Sequence, residues 1–256
     1  MKNEQGGVLV LGGTGGLGSA IVRRLAADWD YVEFTYRVDA PEEELSRATA
    51  LIEELAGVTS IASHPLQYTD ERALGELVRA VHGRSGGLRA VVNAVGVHIP
   101  QQYVSQLKPE QWREVVPVEL MGFIALVRQV LPVLRETRGS IVNVGSVATR
   151  WFVVGDALSA VPKAGAEALC RAVAKEEGRY GVRANTVAPG IMEVGIGRKV
   201  MDSTYDEEVW EQTKRRTPLR RFGRGEDVAG AVAFLCSSEA SFITGQTIIA
   251  DGGLHL

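Results

Sequence analysis

Gly12-Gly13-Thr14-Gly15-Gly16-Leu17-Gly18 lies between an apolar, β-branched run, Val8 to Leu11, and a stretch of helical period beginning at Leu17. Few folds place a turn of that composition there. Glycines let the chain turn tightly and let the backbone approach an anion, which is then favoured by the free N–H groups and dipole at a helix N-terminus. A strand, a glycine-rich turn and a helix in that order open a dinucleotide-binding βαβ unit. A glycine-rich turn without function is the competing reading.

The rest of the chain alternates in the same way. Strand-like runs are Val8 to Leu11, Tyr31 to Tyr36, Thr59 to Ser63, Ala90 to Asn93, Ser140 to Val144, Arg183 to Val187 and Gln246 to Ala250. Helical patterns fall between them, at about Leu17 to Ala27, Pro41 to Leu55, Glu71 to His82, Pro109 to Leu134, Ser159 to Glu177 and Glu226 to Cys236. Strands that are apolar almost throughout suit a parallel sheet covered by helices on both faces. The expectation is an α/β fold: a single Rossmann-type, doubly wound domain over residues 1–256, with a seven-stranded parallel sheet flanked by helices. One long connection, from Met192 to about Pro218, carries its own short helical pattern and reads as a substrate loop over one end of the sheet.

Composition narrows the partners. A net charge of −3, with charges scattered rather than blocked, leaves no basic footprint for nucleic acid and no polybasic surface for a membrane. No apolar run is read as reaching membrane-spanning length, and Met1 to Gly7 lead into the first strand without a signal-peptide core. The expectation is a cytoplasmic protein acting on a small molecule. Cys170 and Cys236 sit in helical patterns as small buried thiols, and the four histidines have no ligand spacing, so no metal is expected.

The second strand ends Thr35-Tyr36-Arg37, without the acidic residue that would hold the ribose hydroxyls of NAD. Arg37 instead offers a guanidinium to a 2′-phosphate, so NADP(H) is expected over NAD(H).

Further motifs carry a resemblance. Asn143-Val144-Gly145-Ser146, followed by Ser159-Ala160-Val161-Pro162-Lys163-Ala164-Gly165, resembles the Ser, Tyr-x-x-x-Lys site of the short-chain dehydrogenase/reductase family, with Ser159 in the tyrosine's place. The spacing Gly12-x-x-x-Gly16-x-Gly18, the segment Asn93-Ala94-Val95-Gly96, the Pro189-Gly190 turn and the stretch Gly223 to Gly253 are similar to the family's landmarks in their usual order. The resemblance implies that Gly12, Thr14, Gly16, Leu17, Gly18, Arg37, Gln67, Tyr68, Asn93, Gly96, Lys163, Pro189 and Gly190 hold the dinucleotide. Several landmarks depart from the family's wording: Leu11 for a threonine, Gln67-Tyr68 where an aspartate contacts adenine, Ala94 for an asparagine and Val194 for a threonine.

The family reduces carbonyls with a hydroxyl donor, a phenol acid and a lysine that strengthens it. Here Ser146 and Lys163 are kept. Ser159 lacks the phenol; with Pro162 three positions later it reads either as part of the site or as the N-cap of a helix that starts late. Glu119 replaces the family's asparagine and is placed to pair with Lys163, as an acid/base couple or as a neutralising partner, while Pro117 is expected to kink that helix. His98, Asp156 and the Trp151-Phe152-Val153-Val154 run are weaker candidates.

The leading expectation is an NADP(H)-dependent reductase of an enoyl or keto acyl-type substrate, with an acyl thioester among the candidates. Its wording Ser-Ala-x-x-Lys-Ala-Gly is similar to the 2,4-dienoyl-CoA reductase branch, although Ala148 stands at that branch's tyrosine. The alternatives are a non-redox lyase, dehydratase or cyclase using Glu119, and a non-catalytic nucleotide-binding partner. The smooth, apolar helix surface at Ala164, Ala168 and Ala172 points to self-association, and the resemblance implies a homodimer or homotetramer.

Overall fold

A computed structural model describes residues 4–204 and 206–256; Met1, Lys2, Asn3 and Tyr205 lie outside the described residues. The seven strands are β1 (Glu4–Leu11), β2 (Trp29–Tyr36), β3 (Ser60–Pro65), β4 (Leu88–Asn93), β5 (Ser140–Val144), β6 (Arg183–Pro189) and β7 (Thr247–Ala250). They form one sheet in the order β3-β2-β1-β4-β5-β6-β7, with every pairing parallel. The strand order reverses between β1 and β4, and a crevice opens there beyond the C-terminal ends of the strands.

Side chains alternate across the sheet, so one strand feeds two cores. Val8 and Val10 of β1 face the layer built by α1 (Gly16–Ala26), α2 (Glu42–Leu55) and α9 (Gly225–Cys236). Leu9 and Leu11 face the layer built by α3 (Glu71–Arg84), α5 (Gly122–Thr137) and α6 (Ala157–Glu177). This double coverage is why the sequence reads as apolar runs instead of alternating ones. Cys170 and Cys236 are free and buried in these layers, and burial pushes each thiol up to about 12.

Two helices depart from the sequence pattern. The stretch expected to be one kinked helix from Pro109 is α4 (Pro109–Val116), a π-helical turn over Pro117–Met121, and then α5. Pro117 has no N–H to give, and the wider register, with Gly122 N–H bonded to Pro117 O, lets the chain remain helical past it. The whole stretch Pro109–Thr137 is long and apolar enough by composition to cross a membrane, contrary to the sequence reading, but Phe123, Leu126, Val130 and Leu134 are spent on the sheet.

Secondly, α6 begins at Ala157, so Ser159 is not an N-cap. The N–H groups of Ser159 and Ala160 bond to Asp156 O at 3.1 and 2.9 Å, and Pro162 lies inside the helix. Three residues earlier than expected, the helix presents Ser159 and Lys163 one turn apart on one face.

The long connection after β6 holds two helices, α7 (Gly195–Thr204) and α8 (Glu207–Arg216), where the sequence indicated one short pattern. It is moored at its ends: Met192 bridges to Gly223, Trp210 packs edge-on against Phe222, and Arg221 makes a two-pronged ion pair with Asp227 in the first turn of α9. That guanidinium holds the Asp227 carboxyl down at about 2.

Candidate active site

The nucleotide end is built at the strand reversal. Gly12 N–H bonds to Thr35 Oγ1 and Gly13 N–H to Thr35 O, so the turn after β1 hangs from the end of β2. Ala94 N–H bonds to Leu11 O, which brings the turn after β4 alongside. A Cβ on Gly18 would stand 2.1 Å from Gly12 O, so only glycine allows α1 to begin this close to the turn. The first N–H groups of α1 have no partner within the helix. The connection after β6 crosses this turn: Gly195 N lies 2.4 Å from where a Cβ of Gly16 would stand. On the opposite wall, Tyr68 Oη donates to Asn93 Oδ1 at 2.9 Å, and Asn93 Nδ2 donates to Asn143 Oδ1 at 2.9 Å. The buried Asn143 Nδ2 has no protein partner. A cradle of backbone N–H groups beside an unpaired buried amide fits a dinucleotide.

Sequence reasoning missed one group here. The strand end lacks an acid, but Glu44 in the first turn of α2 supplies one. Its Oε1 accepts from Thr14 Oγ1 at 2.7 Å, and its Oε2 lies 3.4 Å from Arg37 Nε. Arg47 Nε reaches Thr14 O at 3.3 Å, adding a second guanidinium to the corner. Arg37 itself is largely exposed. The only sequence signal was an acidic first helical turn, Glu42-Glu43-Glu44, which reads as ordinary dipole complementation.

The reaction end lies between the turn after β4, the π turn and α6. Glu119, 6% exposed, accepts from Val97 N–H at 2.8 Å through Oε1 and from Lys163 Nζ at 2.6 Å through Oε2. The carboxylate therefore ties the loop after β4 to the lysine of α6. Ser146 extends β5 into a 3₁₀ turn, Val147–Thr149; its Oγ accepts from Ala148 N–H at 3.1 Å, which leaves the hydroxyl hydrogen to donate outward. The turn is fastened by Glu167, a buried carboxylate bonded to Thr149 Oγ1 at 3.0 Å and paired with Arg150 at 3.0 Å. Beside it Trp151, Phe152 and Val154 are exposed rather than packed into the core.

A family model described as enoyl-(acyl carrier protein) reductase matches residues 12–255. The L-fucose dehydrogenase of Mus musculus is 35% identical, over 97% of this chain and 88% of its own length. The 3-oxoacyl-[acyl-carrier-protein] reductase FabG of Staphylococcus aureus is 32% identical, over 97% of both. A short-chain type dehydrogenase/reductase from Mycobacterium ulcerans superposes with a TM-score of 0.88 at 29% identity, over 100% of this chain and 91% of that one. The chain belongs to the short-chain dehydrogenase/reductase family, a family of oxidoreductases. Levodione reductase is a further structural neighbour, with a TM-score of 0.89 and 27% identity over 100% of this chain and 99% of that one.

For a short-chain dehydrogenase/reductase, the serine, the lysine and the glycine turn stand on the expected elements, and three residues behave differently from the family reading. Thr14 is 3% exposed and its hydroxyl is taken by Glu44. Tyr68 is turned into the core; burial and the Glu119 carboxylate push its phenol well above the usual range, and its hydroxyl is committed to Asn93. Gln67 Nε2 reaches Thr69 Oγ1 at 3.2 Å on the surface, and His98 is exposed. Gly96 sits 3.3 Å, by its notional Cβ, from Ile196 of α7, so the connection after β6 touches the turn after β4.

The Glu119–Lys163 pair carries a stability prediction. Removing one partner of a buried pair costs about 3–5 kcal/mol, whereas replacing both by apolar groups is often neutral. Glu119→Leu is therefore expected to lower unfolding stability in urea by about 3 kcal/mol, with most of the loss recovered in Glu119→Leu/Lys163→Met. A single variant as stable as the parent would show that the pair is not holding the site.

Proposed function

We propose that this protein reduces a small keto or enoyl acyl-type substrate, an acyl thioester in the first instance, with a nicotinamide dinucleotide. The observation that carries this reading is the Ser146 hydroxyl, whose oxygen accepts from Ala148 N–H and whose hydrogen is left to donate, on the turn that leads into the exposed Trp151, Phe152 and Val154. A hydrogen-bond donor next to an apolar face suits a carbonyl at the head of an acyl chain. The names of the family model and of the Staphylococcus aureus relative support the acyl class.

The dinucleotide supplies a hydride when bound. The residues that would hold it are Gly12, Gly16, Leu17 and Gly18 at the phosphates, Arg37 and Thr14 with Glu44 at the adenosine ribose, Gln67 beside the adenine, and Asn93, Gly96, Pro189 and Gly190 along the nicotinamide half. Lys163 would hold the nicotinamide ribose, and its charge, with Ser146, would stabilise the developing oxyanion. Glu119 as a general base for a non-redox reaction has less support, because both of its oxygens are already engaged.

Arg37 favours NADP(H), and Glu44 tempers that preference, since a 2′-phosphate must draw the guanidinium away from a carboxylate. NADPH is expected to bind more tightly than NADH, by about tenfold, the worth of one charge-assisted contact. Arg37→Ala should erase the difference and Glu44→Gln should widen it, both read by calorimetric titration. Equal affinities in the unmodified protein would refute the assignment.

General acid catalysis contributes roughly 10²- to 10⁴-fold, and Ser159 offers no phenol, so simple ketones should be reduced slowly unless another side chain supplies the proton. Oxidation of NADPH with keto thioesters, enoyl thioesters and plain ketones, followed by loss of nicotinamide absorbance, tests the reading. Because α6 begins at Ala157, a ring at position 159 is not misaimed by a late helix start, and Ser159→Tyr should raise ketone reduction. Product formed without loss of NADPH would instead support a lyase; binding without product would support a non-catalytic partner.

Met121, Ile124 and Val161 are exposed apolar residues on the π turn, α5 and α6, with Ala164 and Ala168 exposed beside them. This face supports a homodimer or homotetramer. A monomer in sedimentation at micromolar concentration would exclude both.

A further inference from the structure

Asp156 is the N-cap of α6, yet its side chain does not cap the helix. Aspartate is among the residues best suited to that task, and binding the free N–H groups of the first turn is its default use there. Here Oδ1 instead accepts from Gln101 Nε2 at 3.2 Å, in the loop after β4, and Gln102 N–H bonds to Gly155 O at 3.1 Å to hold that loop against the helix start. The carboxyl is thus turned off the helix and toward the loop that also carries the Glu119 contact at Val97.

Its place on the helix is equally specific. Asp156, Ser159 and Lys163 are spaced i, i+3 and i+7, which puts them on one stripe of α6. Long side chains on a helix lean toward its N-terminus and cover the turn before their own Cα. A phenol at position 159 would therefore lie over the turn that Asp156 begins. The Asp156 carboxyl is thus one helical turn before position 159 and interacts electrostatically with Lys163 and Glu119.

Neither of its charged neighbours is free to act as the acid. Glu119 has one oxygen on Val97 N–H and the other on Lys163, so both are engaged. Lys163 gives a hydrogen to that carboxylate at 2.6 Å.

Resting on the reductase reading above, we propose that Asp156 is the proton donor that takes the tyrosine's place. A carbonyl carbon that gains a hydride sends its π pair to oxygen. The new O–H bond forms as the Asp156 O–H bond breaks, and the carboxylate left behind recovers its proton from solvent water. Gln101 orients the acid.

The surroundings suit this use. Burial raises the Asp156 carboxyl above its ordinary value, opposed by the Gln101 hydrogen bond and by the charge of Lys163 on its own helix, and aided by the charge of Glu119 on the π turn. A carboxyl raised in this way keeps its proton to higher pH than an exposed aspartate. The protonated form is the reactive one, so reduction should be fast below its pKa and should fall about tenfold per pH unit above it.

The test measures kcat/KM for a keto thioester against pH in the unmodified protein, Asp156→Asn and Asp156→Glu, with NADPH affinity by calorimetry as the control for folding. It also follows the carboxyl ¹³C resonances of the ligand-free protein through an acid titration. Asp156→Asn is expected to lose roughly 10²-fold or more in kcat/KM and to lose the alkaline decline, with NADPH affinity unchanged and one high-titrating resonance gone. Asp156→Glu should restore part of the rate with a shifted profile. Turnover that survives Asp156→Asn with the same pH profile overturns this inference alone, as does a ligand-free titration in which Asp156 titrates like an exposed aspartate. An unmodified protein that reduces neither keto nor enoyl thioesters overturns the reductase reading and this inference with it.

Discussion

Pairing of β1 with β2 on one side and β4 on the other is the constraint from which the rest follows. It reverses the strand order at the centre of the sheet and leaves the turns after β1 and β4 side by side beyond the strand ends. Strand β1 is buried from Val8 to Leu11, with alternate side chains committed to opposite layers, so its register cannot slip without moving both cores. The Ala94 N–H bond to Leu11 O then fixes the second turn to the first. The glycine turn and the loop that carries Val97 are attached to the ends of these strands.

Glu119 carries that order from the sheet to the helices. A proline two residues earlier forces the π turn, and the wider turn presents the carboxylate to Val97 N–H and Lys163 together. One charge thereby positions a loop and a lysine. The cost of burying it is offset by two short hydrogen bonds, one of them to a cation. The same engagement removes it from acid/base chemistry: a group whose oxygens are both occupied is good at holding and poor at exchanging protons.

The sheet was legible in the sequence because strands buried on both faces appear as uninterrupted apolar runs, and helices between them show a clear period. Ser140 to Val144 is the same in both readings, and the other strands differ only at their ends. What was not legible depends on contacts distant in sequence. The start of α6 was displaced by the expectation that Pro162 must sit in a first turn, whereas tertiary packing tolerates it deeper in the helix. Glu44 was passed over because nothing local shows that Thr14, thirty residues earlier, lies against it. Asp156 was only a weak candidate, a turn residue or an acid, for the same reason: its meaning comes from Gln101 and from a cap it does not make.

Exchange of a phenol for a carboxyl changes what the site demands of its surroundings. A phenol is a weak acid that an adjacent cation must strengthen, so in the family the lysine is left free to act on it. A carboxyl is already too strong an acid to hold its proton at neutral pH, and needs the opposite treatment: burial, and a cation whose field is cancelled. This chain makes both substitutions together, with Ser159 where the phenol would be and Glu119 neutralising Lys163. A buried carboxylate on the lysine would handicap a tyrosine-based site. Beside Asp156, whose carboxyl is raised first by burial and still lowered by Lys163, it adds a smaller push in the same direction as burial, so the two departures from the family pattern serve one physical requirement.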